Sequence, residues 1–145
     1  MFHGFTCDCY HKCIHLPDRP AGFGCNSVVA GQVTLDFRAY WGVDCQLEFL
    51  TKDEPLAEGW WQISVTDNPD QACALGYHEL TSRGTPLGKV FAGLDLQSGG
   101  SWTVTLSHEL LEVLADPWIN WCARGSDGKI YALEVCDAVE ADRLG

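Results

Sequence analysis

Apolar and polar residues alternate in short runs between residues 27 and 94, and this pattern is typical of half-buried β-strands. Groups of Gly, Pro, Asn, Asp and Ser interrupt the runs and predict turns at 67–70, 82–86 and 97–100. We therefore expect strands at 27–36, 45–50, 60–66, 73–79 and 89–94. Residues 126–129 predict the tip of a further hairpin, between strands at 119–122 and 130–135.

The period of the pattern changes from two to 3.6 after the alternating run Trp102-Thr103-Val104-Thr105. A helix of about 10 to 13 residues is expected, capped by Thr105 or Ser107 and ended by Asp116-Pro117. Its apolar side would carry Leu106, Leu110, Val113 and Leu114. The fold class is α+β, with a small mixed or antiparallel sheet packed on this one main helix.

The polar side of this helix carries the sequence His108-Glu109-Leu110-Leu111-Glu112. In the H-E-x-x-H signature, two His four residues apart bind zinc, and the Glu after the first His acts as general base on water. Glu112 stands where that signature has its second His. An ordinary surface helix that happens to carry these groups is the alternative, since Glu favours helices.

A metal site would need a third protein ligand, and two acids downstream are candidates. A turn and a hairpin could return Glu134 or Asp137 to the helix. Acids outnumber bases from His108 onward, and such crowding raises carboxylate pKa values unless a cation is present.

The segments S-H-E-L-L-E-V-L-A-D-P (107–117) and Y-A-L-E-V-C-D-A-V-E (131–140) resemble a group of small zincin-like, metallopeptidase-like proteins of bacteriophages and prophages. The similarity extends over residues 60–143 and includes 76–80 and 88–91. The resemblance implies a zincin-like fold in which His108 and Glu112 bind the metal, Glu109 is the general base, and Asp137 or Glu134 is the third ligand.

Zinc is the expected metal, although one His and two carboxylates would neutralise a divalent ion and activate water less than two His and one carboxylate. Oxygen-rich ligands also suit harder ions, so Mn, Mg and Ca stay open.

Eight cysteines form the second unusual feature, and Cys7, Cys9 and Cys13 lie close together with His11 and His15. They could bind a second, structural zinc ion, although the spacing differs from that of common zinc modules. Disulfides and free thiols are the alternatives. We therefore divide the chain into a Cys/His-rich N-terminal extension (1–26) and a zincin-like α+β domain (27–145).

A net charge of −11, with only nine Lys and Arg residues, argues against nucleic acid as a partner. No apolar run is long enough for a transmembrane segment and no signal peptide is recognisable, so a membrane partner is not expected. With the phage resemblance, this predicts a protein of the virion or of the host cytoplasm.

Two functions fit these observations. The first is a metal-dependent peptidase or amidase acting on a peptide or on peptidoglycan. The second is a virion structural or accessory protein, associated with capsid, neck or tail, that keeps a zincin-like core without catalysis and binds virion proteins or itself. Trp60, Trp61, Trp118 and Trp121 are expected as core and interface anchors. His78 is expected to be an ordinary strand residue, with a role at the substrate as the alternative.

Overall fold

A computed structural model describes the backbone of residues 11–15 and the whole of residues 28–50 and 53–137. These residues form seven strands and three helices. In chain order they are β1 (His11–His15), α1 (28–41), β2 (Cys45–Leu50), β3 (Gln62–Thr66), β4 (Gly76–Leu80), β5 (Pro86–Phe91), α2 (Ala92–Gln97), α3 (Trp102–Ala115), β6 (Cys122–Arg124) and β7 (Ile130–Ala132). The predicted mixed α+β class is confirmed.

Five strands form one mixed sheet in the order β2-β1-β3-β5-β4. Strands β2, β1, β3 and β5 run parallel to one another. Strand β4 runs antiparallel to β5 and occupies one edge of the sheet. In this pair Gly76 lies opposite Val90 and His78 lies opposite Gly88. β1 lies between β2 and β3, so part of the segment assigned to the N-terminal extension contributes a central strand.

Helix α3 packs its apolar side on this sheet, as its leucines predict. Leu106, Leu110 and Leu114 belong to the same buried cluster as Ile63 of β3 and Val90 of β5. The predicted start of the helix was wrong, because α3 has 14 residues and begins at Trp102. The alternating residues suggested a strand, but Trp102 packs against the core as part of the first helical turn. The predicted end at Asp116 is confirmed.

The strand expected at 27–36 is wrong, since α1 occupies residues 28–41. Val29, Val33 and Phe37 are four residues apart and all buried, so they form one helical face. Residues Gln32–Phe37 are π-helical, and Phe37 stacks on Trp41 with ring centroids 5.6 Å apart. The helical period was hidden because many residues between these positions are also apolar.

The strand expected at 45–50 is confirmed at both ends, and the predicted strands after it are present with one or both ends shifted. The strand expected at 89–94 ends at Phe91, and Ala92–Gln97 forms α2 instead. The hairpin expected around 126–129 is confirmed as β6 and β7. Its tip is closed by the Gly125 N–H, which donates to the Lys129 carbonyl at 2.9 Å. Among the residues described above, no helix combines the length and apolar character needed to cross a membrane.

Candidate metal centre

The polar side of α3 is covered by other parts of the fold. Glu109 is 5% exposed and Glu112 is 4% exposed, which excludes an ordinary surface helix. Burying a carboxylate is costly unless a cation or hydrogen-bond donors compensate. The side chains that face these two carboxylates therefore determine how their buried charge is compensated.

The edge strand β4 brings His78 against both buried carboxylates. His78 Nδ1 lies 3.4 Å from Glu109 Oε2 and 3.4 Å from Glu112 Oε2. The strand approaches α3 this closely because Gly76 has no side chain. An added Cβ at Gly76 would lie 2.7 Å from Glu109 Oε1 and 2.7 Å from Thr105 Cγ2.

The segment after β7 covers the other end of the cluster. Glu134 Oε2 lies 3.8 Å from His78 Nε2, and Asp137 Oδ1 lies 3.2 Å from His108 Nε2. The Cys136 N–H donates to Glu112 Oε1 at 3.3 Å, and its thiol donates to the His108 carbonyl at 3.7 Å. Both acids that were expected to return to the helix lie beside a histidine.

The charges in this cluster shift one another's protonation. Contacts with Glu109 and Glu112 raise the pKa of His78 to about 10, and contact with Glu112 raises the pKa of His108 to about 9. Burial acts to raise the pKa of Glu112, but the contacts with His108 and His78 outweigh it and lower the pKa to about 2. Without another cation, the two protonated histidines are the positive charges that balance the acids.

Two carboxylate oxygens of this cluster accept no hydrogen bond among the described residues. Burial raises the pKa of Glu109, and burial together with the charge of Glu112 raises the pKa of Glu134. The two oxygens are the buried Oε2 atoms of Glu109 and Glu134, which lie 3.4 Å from His78 Nδ1 and 3.8 Å from His78 Nε2. Oxygens that are buried without a donor are suitable ligands for a divalent cation, so the residues fit a metal.

Three-residue groups suitable for a metal occur twice in the described part of the chain. One joins His108, Glu112 and Cys136, and the other joins His78, Glu112 and Glu134. Within each group, the ligand atoms lie within 4.8 Å of one another. Bonds to zinc of about 2.0–2.3 Å place ligand atoms at most about 4.6 Å apart, so both groups are near coordination distance.

The sequence predicted His108, Glu112 and Glu134 among the ligands; His108 and Glu134 each occur in one of these groups, and Glu112 occurs in both. Asp137 lies beside His108 but in neither group, and Glu109 lies beside His78. His78 and Cys136 were missed as ligands. The sequence contained a weak indication of each ligand. His78 follows Gly76 on the same strand face, and Cys136 lies between Glu134 and Asp137, the two predicted acids.

Most of the cysteine-rich start lies outside the described residues, including Cys7, Cys9 and the side chain of Cys13. A zinc site there stays a prediction. The four described cysteines are free thiols, namely Cys45, Cys73, Cys122 and Cys136.

Comparisons of the chain with protein-family models, with curated proteins and with solved structures found no match. The resemblance to phage zincin-like proteins therefore stays a prediction, and the functional argument depends on the geometry of this cluster.

Proposed function

We propose that α3, β4 and residues 133–137 form a zincin-like metal centre, and that the protein is a metal-dependent hydrolase of peptide or amide bonds. One observation carries this proposal: Glu109 Oε2 is buried and accepts no hydrogen bond among the described residues, beside histidines and acids that have ligand spacing. A purely structural helix would gain nothing from burying this carboxylate.

Zinc in such a centre acts as a Lewis acid that polarises the scissile carbonyl and acidifies water. Glu109 is the general base in this proposal. It follows the ligand His108 in the chain, and its raised pKa suits a group that accepts a proton from water and returns it to the leaving amine. His78 lies against Glu109 and restricts the rotation of its carboxylate.

The residues missed from sequence support zinc over harder ions. One His and two carboxylates leave Mn, Mg or Ca as competitors, whereas His78 and Cys136 add a nitrogen and a sulfur donor. The two histidines fall in different groups, so each group offers one nitrogen donor to an ion.

The edge position of β4 supports a peptide-like substrate. β4 has no strand partner on its outer side in the described part of the chain, and such an edge can pair with an extended chain through backbone hydrogen bonds. Peptides and the peptide stems of peptidoglycan both offer that backbone.

A second candidate function is a non-catalytic virion structural or accessory protein, which rests on the phage resemblance. Exposed apolar side chains next to and on the β6–β7 hairpin favour it, because such patches often bind a protein partner or another copy of the chain. They are Trp118, Ile119, Trp121, Ile130 and Tyr131.

The test combines metal analysis with a hydrolysis screen on peptides and peptidoglycan. Glu109→Gln is expected to keep the fold and bound zinc but to lose hydrolysis. Glu48→Gln is the matched control, because Glu48 is exposed on β2 at the opposite edge of the sheet. Unchanged hydrolysis in Glu109→Gln would remove Glu109 from the mechanism. Bound zinc without hydrolysis in the unsubstituted protein would favour the non-catalytic candidate.

A further inference from the structure

We infer that this centre binds two divalent metal ions, one at His108, Glu112 and Cys136 and the other at His78, Glu112 and Glu134, with Glu112 bridging them. The inference rests on the proposed metal centre and specifies it further. It differs from the sequence expectation, which combined His108, Glu112 and one downstream acid around a single ion.

The orientation of the Glu112 carboxylate is the first argument. Oε1 lies 3.2 Å from His108 Nε2, whereas Oε2 lies 3.4 Å from His78 Nδ1. The Cys136 N–H donates to Oε1 and so resists rotation of the carboxylate. Each oxygen therefore faces a different histidine, as a carboxylate does when it bridges two ions.

The second argument for two ions is that the ligands separate into two groups. The two groups share Glu112 and no other residue, and the two histidines fall in different groups. An ion in one group would leave the histidine of the other group without a metal. Each group supplies three protein ligands, the number found at catalytic zinc sites that keep a fourth position open.

Charge is the third argument. Four carboxylates lie in the cluster, those of Glu109, Glu112, Glu134 and Asp137, and their ion-pair partners among the described residues are the two histidines. With metal bound the histidines are neutral and Cys136 is a thiolate, so the cluster carries five negative charges, of which one divalent ion would balance two and two ions would balance four. Glu109 Oε2 lies 3.4 Å from His78 Nδ1 but accepts no hydrogen bond among the described residues, and the residue is more than nine-tenths buried, so solvent screens its charge little.

The two positions differ in chemistry. The His108 group includes a thiol and suits zinc or cobalt, whereas the His78 group has one nitrogen and two carboxylate donors and also suits manganese. Two-metal hydrolytic sites hold ions about 3.5–4 Å apart, a separation that a bridging carboxylate can span.

The experiment measures zinc per chain by elemental analysis after zinc loading and dialysis. Glu112→Ala provides the baseline, because it removes the shared ligand while any zinc at the N-terminal cysteines stays. We expect the unsubstituted protein to hold two more zinc ions per chain than Glu112→Ala. His78→Ala and His108→Ala should each hold one more than that baseline, and Glu48→Gln should match the unsubstituted protein.

A difference of one ion between the unsubstituted protein and Glu112→Ala would overturn the two-ion inference and leave the proposed metal centre standing. A difference of zero would overturn the centre itself. Circular dichroism checks that each variant is folded, and His78→Gln and His108→Gln replace any Ala variant that is not.

Cobalt loading gives an independent reading of the Cys136 position. A thiolate-to-cobalt absorption band should weaken in Cys136→Ser and in His108→Ala but stay unchanged in His78→Ala. A band that Cys136→Ser does not weaken would exclude Cys136 as a ligand and overturn the assignment of the His108 position.

Discussion

The close approach of β4 to α3 at Gly76 predicts the effect of the substitution Gly76→Ala. The added Cβ would lie 2.7 Å from Glu109 Oε1, 2.7 Å from Thr105 Cγ2 and 2.8 Å from the backbone oxygen of Lys89. The Glu109 side chain could rotate away, but the Lys89 oxygen belongs to β5, which pairs with β4. Relief of the clash would therefore require a shift of β4 as well as a new rotamer at Glu109.

Overpacking of this kind costs about 1–3 kcal/mol. In a chain of this length, each 1 kcal/mol lowers the melting temperature by about 2–4 °C, so we expect a decrease of about 2–12 °C. Zinc affinity should fall as well, because His78 is two residues from Gly76 on the same strand face and moves with the strand.

Urea and thermal denaturation of the metal-free protein measure the first effect, and zinc titration measures the second. Gly31→Ala is the control, because Gly31 has helical φ and ψ angles of −59° and −46° and its added Cβ would meet nothing within 4 Å. Alanine there should stabilise the protein by up to about 1 kcal/mol. If Gly76→Ala were as stable as the unsubstituted protein and bound zinc equally well, β4 would not pack on α3 as described.

Three further predictions concern protons and packing. In the metal-free protein His78 and His108 have pKa values of about 10 and about 9, so zinc binding near neutral pH should release protons from them. Calorimetry in buffers of different ionisation enthalpy measures this release. A zinc-binding enthalpy that did not depend on the buffer would contradict histidine ligation. Contacts with Glu109 and Glu112 raise the pKa of His78 from 6.5 to about 10. Contacts with His108 and His78 outweigh burial and lower the pKa of Glu112 from 4.5 to about 2, so the stabilisation of the metal-free fold by these contacts should be greatest between pH 4.5 and 6.5 and weaken toward pH 10 and pH 2. Melting temperatures of the metal-free protein and of His78→Gln across this range measure it, and a difference that grew above pH 7 would refute it. Leu106→Ala should cost about 2–5 kcal/mol, whereas Val104→Ala on the same helix, at an exposed position, should change stability by less than about 0.5 kcal/mol; equal effects in urea denaturation would contradict the orientation of α3.

Helix α3 could be predicted because its pattern is local. Leu106, Leu110 and Leu114 repeat at helical spacing within one segment, and His108 and Glu112 share its opposite side. The start of the helix could not be predicted, because three β-branched residues follow Trp102 in succession and favour a strand locally. Packing of Trp102 on the core outweighs that preference.

Helix α1 was missed for a related reason. Its apolar residues fit strand and helix periods about equally, and long-range packing decides between them. Val29, Val33 and Phe37 pack into the core with α3, and the Ser107 hydroxyl donates to the Gln32 carboxamide oxygen at 2.5 Å. A contact between residues 75 positions apart leaves no periodic trace in either segment.

The contrast between local pattern and long-range packing also explains which residues of the candidate site could be predicted. His108, Glu109 and Glu112 lie on one helix, where spacing alone places them together. His78 comes from another element, and only the pairing of β4 with β5 and the gap at Gly76 bring it to α3. Glu112 replaces the second histidine of the usual helix motif, and in the proposed centre β4 supplies a second histidine from the sheet. The replacement leaves one histidine in each proposed group, so the activation of water would depend on two ions acting together rather than on two histidines at one ion.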